Sequence, residues 1–199
     1  MRGRTLLVGT LVTALALFVW QSLSNTVIPW HTLAMKTFAN DTAAVRAIHA
    51  AAPANGLYFS PRGVLMVTAF TPGLADKSAA MGAPLARQLV LDVVAAFVLA
   101  LVVARLVAPA PLATGTLLGL AGLGAGIIAC MSNWNWYGYP AAFEVVNTID
   151  LAINLFIGGA LLAWFARRGA RASTPATDAG VRAESGFPPL GSRQPTNVG

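Results

Sequence analysis

The sequence predicts an all-α membrane protein: a bundle of four transmembrane helices with a small extracytoplasmic α+β loop made of a short helix and a β-hairpin. Three observations lead there. Of the 199 residues, 56% are hydrophobic and only 10% charged, whereas a soluble domain carries about a quarter charged residues, so lipid is the expected solvent. Four stretches approach the about 20 mostly apolar residues a helix needs to cross a hydrocarbon core. The basic residues gather at the ends of those stretches rather than on one face.

The first stretch is Thr5–Leu23, preceded by Arg2 and Arg4. It could instead be a cleaved signal peptide, with "MRGR" as its basic region and Ser22 and Ser24 as small residues near a cleavage point. Against that, the apolar core is long, ends in Trp20 and lacks an A-x-A site. The other spans are Gln88–Val107, Leu112–Met131 and Val145–Phe165. Residues 1–166 thus form the membrane domain, with an outer loop over 25–87 and the short loop "SNWNWYGYP" on the same side.

Within the outer loop, "NDTAAVRAIHAAAP" has Asn40 or Asp41 as helix N-cap, is stopped by Pro53 and carries Val45 and Ile48 on one side. "GLYFSPRGVLMVTAF" reads as two strands around Ser60-Pro61-Arg62-Gly63, a type I turn pattern. A loop of this size is marginal for a core of its own and should pack on the membrane domain or on a partner. Residues 167–199 turn rich in Pro, Gly, Ser and Thr and are expected to be a disordered tail, with too few large apolar residues to offset chain entropy.

Arg105 closes the second span, and Arg167, Arg168 and Arg171 follow the last. By the positive-inside rule both termini are cytoplasmic. Lys36, Arg46, Arg62, Lys77 and Arg87 fall in the outer loop, which is tolerated because long segments translocate largely regardless of charge. The net charge of +6 therefore reports topology; nucleic-acid binders cluster their basic residues on a folded face, and no nucleic-acid partner is expected. The single cysteine, Cys130, excludes an internal disulfide and a site built on several thiolates. No HExxH, CxxC, GxSxG or phosphate-binding loop is present, so neither a metal nor another cofactor is expected.

Aromatic residues crowd the predicted boundaries. Trp30, Trp134, Trp136 and Trp164 suit the headgroup layer as interfacial anchors; the alternative is a stacked binding platform. "VIPWHTL" after the first span, "GLYFSP" in the loop and "NWNWYGYP" before a last helix carrying an acid resemble a family of bacterial four-helix integral membrane proteins of uncharacterised function. The resemblance covers about residues 5 to 166. It implies a multi-pass protein of the bacterial inner membrane, and brings no activity, cofactor or catalytic residue.

The chemistry concentrates on the fourth span. At about 100° per residue, Asn147, Asp150, Asn154 and Gly158 fall within a sector of roughly 80°, while Ile149, Ile153, Phe156 and Ala160 face the other way, toward lipid. A mid-bilayer carboxylate costs about 2.5–3.5 kcal/mol, so Asp150 should point into the bundle and have a partner or a proton. Asp92 lies at a matching depth in the second span, about 7–8 Å from the expected outer helix ends, and is the expected neighbour. The pair would share a proton or hold a cation. His31, beside Trp30 at the outer end of the first span, is a further contributor, with His49 in the loop helix the only other imidazole. The plainer alternative is that the polar face supplies interhelical hydrogen bonds, worth about 0.6 kcal/mol each on average. In the third span, Gly115 and Gly119, then Gly122 and Gly126, have GxxxG spacing, which allows close helix packing within the chain or at a subunit interface.

These features leave three functions. The leading expectation is a non-catalytic accessory or assembly subunit of a membrane complex, with the bilayer and a membrane protein or a second copy as partners. The alternative is a small proton- or ion-coupled transporter using Asp92 and Asp150, for which four helices are few. A membrane-embedded enzyme comes last, since no nucleophile–base arrangement is legible.

Overall fold

The periodicity of small and hydroxylated residues in the first span decides how the bundle assembles. In the computed structural model, which describes residues 3–52, 54, 56–60, 64–68, 82–107 and 109–171 and only the backbone of 57, 59, 60 and 64–68, the first helix α1 covers Gly3–Thr26 and buries Thr10, Thr13, Ala14, Leu17 and Ser24. That three-and-four spacing is one helix face. A one-turn helix α2 (Trp30–Leu33) and α3 (Asp41–Ala51) follow, then strands β1 (Gly56–Ser60) and β2 (Val64–Thr68). The remaining helices are α4 (Gly82–Val103), α5 (Pro111–Tyr137) and α6 (Ala141–Arg171). Helices α1, α4, α5 and α6 are long and apolar enough to cross a membrane, which makes this a multi-pass helical membrane protein.

Helix ends depart from the expected spans because hydropathy marks where lipid begins, not where the helical backbone stops. α5 continues through "SNWNWY" to Tyr137, so the aromatic segment expected as a loop is the last turns of a helix. Gly138 ends it at φ 70°, in the left-handed region that favours glycine, with its N–H bonded to Asn133 O. Pro140 then precedes α6, whose first turn carries Glu144, favourable at a helix N-terminus. α6 runs 31 residues to Arg171, about 46 Å at 1.5 Å per residue, so residues 167–171 are helix rather than tail. Residues 172–199, the rest of the expected tail, lie outside the described residues.

The expected α+β cap on the bundle is not supported. α3 is capped by Asn40, whose side chain accepts from Ala43 N at 3.0 Å, but it buries none of its residues, and Val45 on its apolar side is 44% exposed. β1 and β2 pair antiparallel, with Gly56 opposite Thr68 and Ser60 opposite Val64; the predicted turn over 61–63 lies outside the described residues. Eleven helical residues with two large apolar side chains hold too little surface to dock against the bundle.

α5 packs chiefly on α6; α1 packs on both α6 and α4, and α4 meets α6 more sparsely. Two apolar clusters close the bundle. Ala100, Val103, Leu162 and Ala163 are buried together near the end where α1 begins and α6 finishes, with Leu6, Leu99 and Leu118 against them. Ala14, Leu17 and Ala96 form the second. The buried acids Asp92, Glu144 and Asp150, with Ser24 and His31, lie toward the opposite, loop end, where α1 finishes and α5 turns into α6.

Candidate functional site

Asp150 is the centre of the polar end. Its residue is 8% exposed, and both carboxyl oxygens are held from α1: Trp20 Nε1 donates to Oδ1 at 2.6 Å and Ser24 Oγ donates to Oδ2 at 2.8 Å. Trp20 and Ser24 stand four apart on α1, on one helix face, so a single turn of α1 grips one side chain of α6.

Asp92 is also buried, at 2%, and also turns to α1. Its Oδ1 accepts from Gln21 Nε2 at 2.9 Å and from Gln88 Nε2, one turn earlier on α4, at 3.0 Å. Gln88 Nε2 reaches Gln21 Oε1 as well, at 2.7 Å. Asp92 Oδ2 is buried with no hydrogen-bond partner. Gln21 completes the circuit by donating weakly to Asn154 Oδ1 at 3.4 Å, and Asn154 Nδ2 donates to the Asp150 carbonyl at 3.1 Å.

The two acids therefore do not pair directly, as the sequence led one to expect. No hydrogen bond joins their carboxyl groups; the link runs through Gln21 and Asn154. The physical reason is the position of α1, which supplies donors to both acids.

Above Asp150 the chain folds back at Trp30 and His31. Trp30 Nε1 donates to Ser24 O at 3.0 Å and approaches Ser24 Oγ at 3.1 Å. His31 Nδ1 lies 3.2 Å from the same Ser24 carbonyl. A carbonyl only accepts, so Nδ1 carries the hydrogen in this contact, and Nε2 is left facing Asp150 Oδ2 at 4.0 Å. Edge-to-face contacts run from Trp20 to Trp30, Trp30 to His31 and His31 to Phe143, forming an aromatic roof over the acid.

The other expected residues are more dispersed. Asn147 lies beside the network, with a marginal 3.5 Å contact from its Nδ2 to Glu144 Oε2. Gly115, Gly119, Gly122 and Gly126 all face α6: a Cβ on Gly115 would meet Phe156 O at 3.0 Å, and one on Gly126 would meet Thr148 Cα at 2.9 Å. Those glycines serve packing inside the chain. The same contacts correct the expected lipid face of α6, since Phe156 and Ala160 touch α5. Trp134 and Trp136 are 50% and 77% exposed on the last turns of α5, and Trp164 carries Arg168 over its ring at 4.2 Å. His49 is exposed on α3. Among the described residues, no three His, Cys, Asp or Glu side chains gather as metal ligands.

Sequence reasoning missed Trp20, Gln21, Ser24 and Gln88 as site residues. Gln21 and Ser24 at three-residue spacing near the end of an apolar helix, and Gln88 four before Asp92, are signals of a shared face. Glu144, buried at 1%, also went unremarked.

Beside the network a groove of about 540 Å³ opens laterally between α4 and α6, with α1 as its floor. Gln21, Asn147, Asp150 and Asn154 line its loop end, with Leu151 and Leu155 level with them on α6, and Leu17, Val98 and Leu99 line it further in.

No family model, curated protein or solved structure matches the chain. The site is therefore interpreted from its own chemistry.

Proposed function

We propose that the protein is a non-catalytic accessory or assembly subunit of a larger membrane complex, seated in a bacterial inner membrane with both termini in the cytoplasm and the α3–β2 segment outside. The observation that carries this reading is how the buried acids are used: three of the four carboxyl oxygens of Asp92 and Asp150 accept hydrogen bonds, and each acid is bound from α1. Such bonds fix helices relative to one another. Farther along the bundle the buried side chains are the apolar clusters around Leu17, Val103 and Leu162 together with the hydroxyls of Thr10 and Thr13. Acids held in this way from a neighbouring helix suit a scaffold. α5 is the face left for a partner: it packs mainly on α6 and presents Leu117, Leu120 and Ile127 outward at 54–62% exposure.

The reading is tested by extracting the tagged protein from native membranes in mild detergent and identifying what co-purifies above an untagged control. A stoichiometric membrane protein is the expected result; a homogeneous protein with no partner counts against it.

A second reading, a small proton-coupled protein, has two observations in its favour: the unpartnered Oδ2 of Asp92 and the approach of His31 Nε2 to Asp150. It requires Asp150→Asn to abolish function in a protein that stays folded, whereas a subunit tolerates the change if assembly survives.

A further inference from the structure

The groove beside the polar network has a polarity gradient along the bundle axis, and that gradient specifies an occupant. At the loop end its lining is Gln21, Asn147, Asp150 and Asn154, with Leu151 and Leu155 level with them on α6; farther in it is wholly apolar, with Leu17, Val98 and Leu99. From Asn147 to Leu155 along α6 the groove is about 12 Å long. Its inner end is pinched where Leu99 meets Gly158, whose Cβ position lies only 2.9 Å from Leu99 Cδ1. A helix with side chains is a rod about 10–12 Å across, which does not enter a groove that tapers shut within two turns. A single hydrocarbon chain does. Volumes of roughly 300–1,000 Å³ with mostly apolar walls and a few polar groups are typical of small-molecule sites, and gaps between bundle helices are among their usual places.

The head chemistry follows from charge. The lining contains one acid, three amides and no Lys, Arg or His. Asn147 has only its marginal contact to Glu144, so its amide has bonding capacity to spare, and each Asp150 oxygen accepts a single strong bond from α1 where a carboxylate oxygen can take two. The amide N–H groups of Gln21 and Asn154 are already turned to Asp92 Oδ1 and the Asp150 carbonyl, so a phosphate or carboxylate would set its oxygens against acceptors here; a hydroxyl or amine would donate to them.

We propose that this groove is a binding site for a long-chain amphiphile whose head donates hydrogen bonds and carries no negative charge, a hydroxyl or amine, entering sideways from the leaflet with its chain against Leu99 and Leu155. The site belongs to the isolated chain and does not depend on the subunit reading.

The test uses the full-length protein alone in phosphatidylcholine nanodiscs, with a diazirine-bearing hexadecanol as photoprobe and cross-links mapped by mass spectrometry. Labelling of the α4 segment around Val98–Leu99 and the α6 segment around Leu151–Leu155 should exceed labelling of Leu117 and Leu120 on the lipid face of α5 by about tenfold. Unlabelled hexadecanol and hexadecylamine should compete, and hexadecanoate should not. Ala95→Trp, which places a ring in the groove from an exposed position, should remove the groove labels while the protein still elutes as the native species; Asn147→Leu should weaken competition by the amine several-fold. Labels spread evenly over α5 and the groove, equal competition by hexadecanoate, or full labelling of Ala95→Trp would each overturn the proposal. Because no partner is present, these outcomes are independent of whether a subunit co-purifies.

Discussion

Gln21→Leu is the most informative single substitution in the polar network. Among the described residues, Gln21 is the one side chain bonded to both neighbouring helices, through Asp92 and Gln88 on α4 and Asn154 on α6. Two of those bonds, at 2.9 and 2.7 Å, are well formed, and the third, at 3.4 Å, is marginal. At about 0.6 kcal/mol for an average membrane hydrogen bond and about 1.7 at most, the direct loss is about 1–2 kcal/mol. Asp92 would keep Gln88 as its only donor, at 3.0 Å, which puts the loss toward the upper end of that range. The expected destabilisation is about 2 kcal/mol, read as a shift in reversible unfolding by SDS in mixed micelles, followed by far-UV circular dichroism. Adding Asp92→Leu should then cost less than the sum of the single changes, because the Gln21–Asp92 bond can be lost only once. A Gln21→Leu protein within about 0.3 kcal/mol of the native one, the usual scatter between independent sites, would refute the claim that Gln21 ties α1 to α4 and α6.

Other expectations follow from the same contacts. Ser24→Ala, at a fully buried position that donates to Asp150 and sits under Trp30, should cost about 1–2 kcal/mol in the same unfolding assay. Trp20→Phe keeps the ring but loses the 2.6 Å bond, and should cost about 1 kcal/mol; no change would mean that Asp150 is held by Ser24 alone. Gly126→Ala drives a Cβ to within 2.9 Å of Thr148 Cα and should destabilise by about 1–3 kcal/mol, whereas Gly124→Ala meets open space and should be neutral or slightly stabilising. Equal losses from the two glycine changes would show that α5 does not seat on α6 through Gly126.

What the sequence revealed and what it hid have physical causes. Long apolar runs bounded by arginines are a strong signal, so four crossing helices were legible, as was the turning of Asp150 into the bundle, because an acid on a helix with an otherwise apolar environment has few other places to go. The glycine spacing of α5 was legible as close packing, but its direction depends on which helix lies opposite, and periodicity within one helix carries no such information. The partner of Asp150 was misjudged for the same reason. Depth matching pointed to Asp92, yet donors on α1 answer both acids, and Ser24 and Gln21 are ordinary small or polar residues for the end of a span. The helical course of "SNWNWY" was hidden because hydropathy falls where α5 leaves the apolar layer although its backbone continues to Gly138.

The central claim is that Asp92 and Asp150 hold helices together rather than carry protons. Its most direct test is proton flux into liposomes containing the purified native protein, Asp92→Asn or Asp150→Asn, under an imposed pH gradient and membrane potential. The account predicts that all three match protein-free liposomes. A flux in the native protein that either substitution abolishes, with the variant still folded, would contradict it.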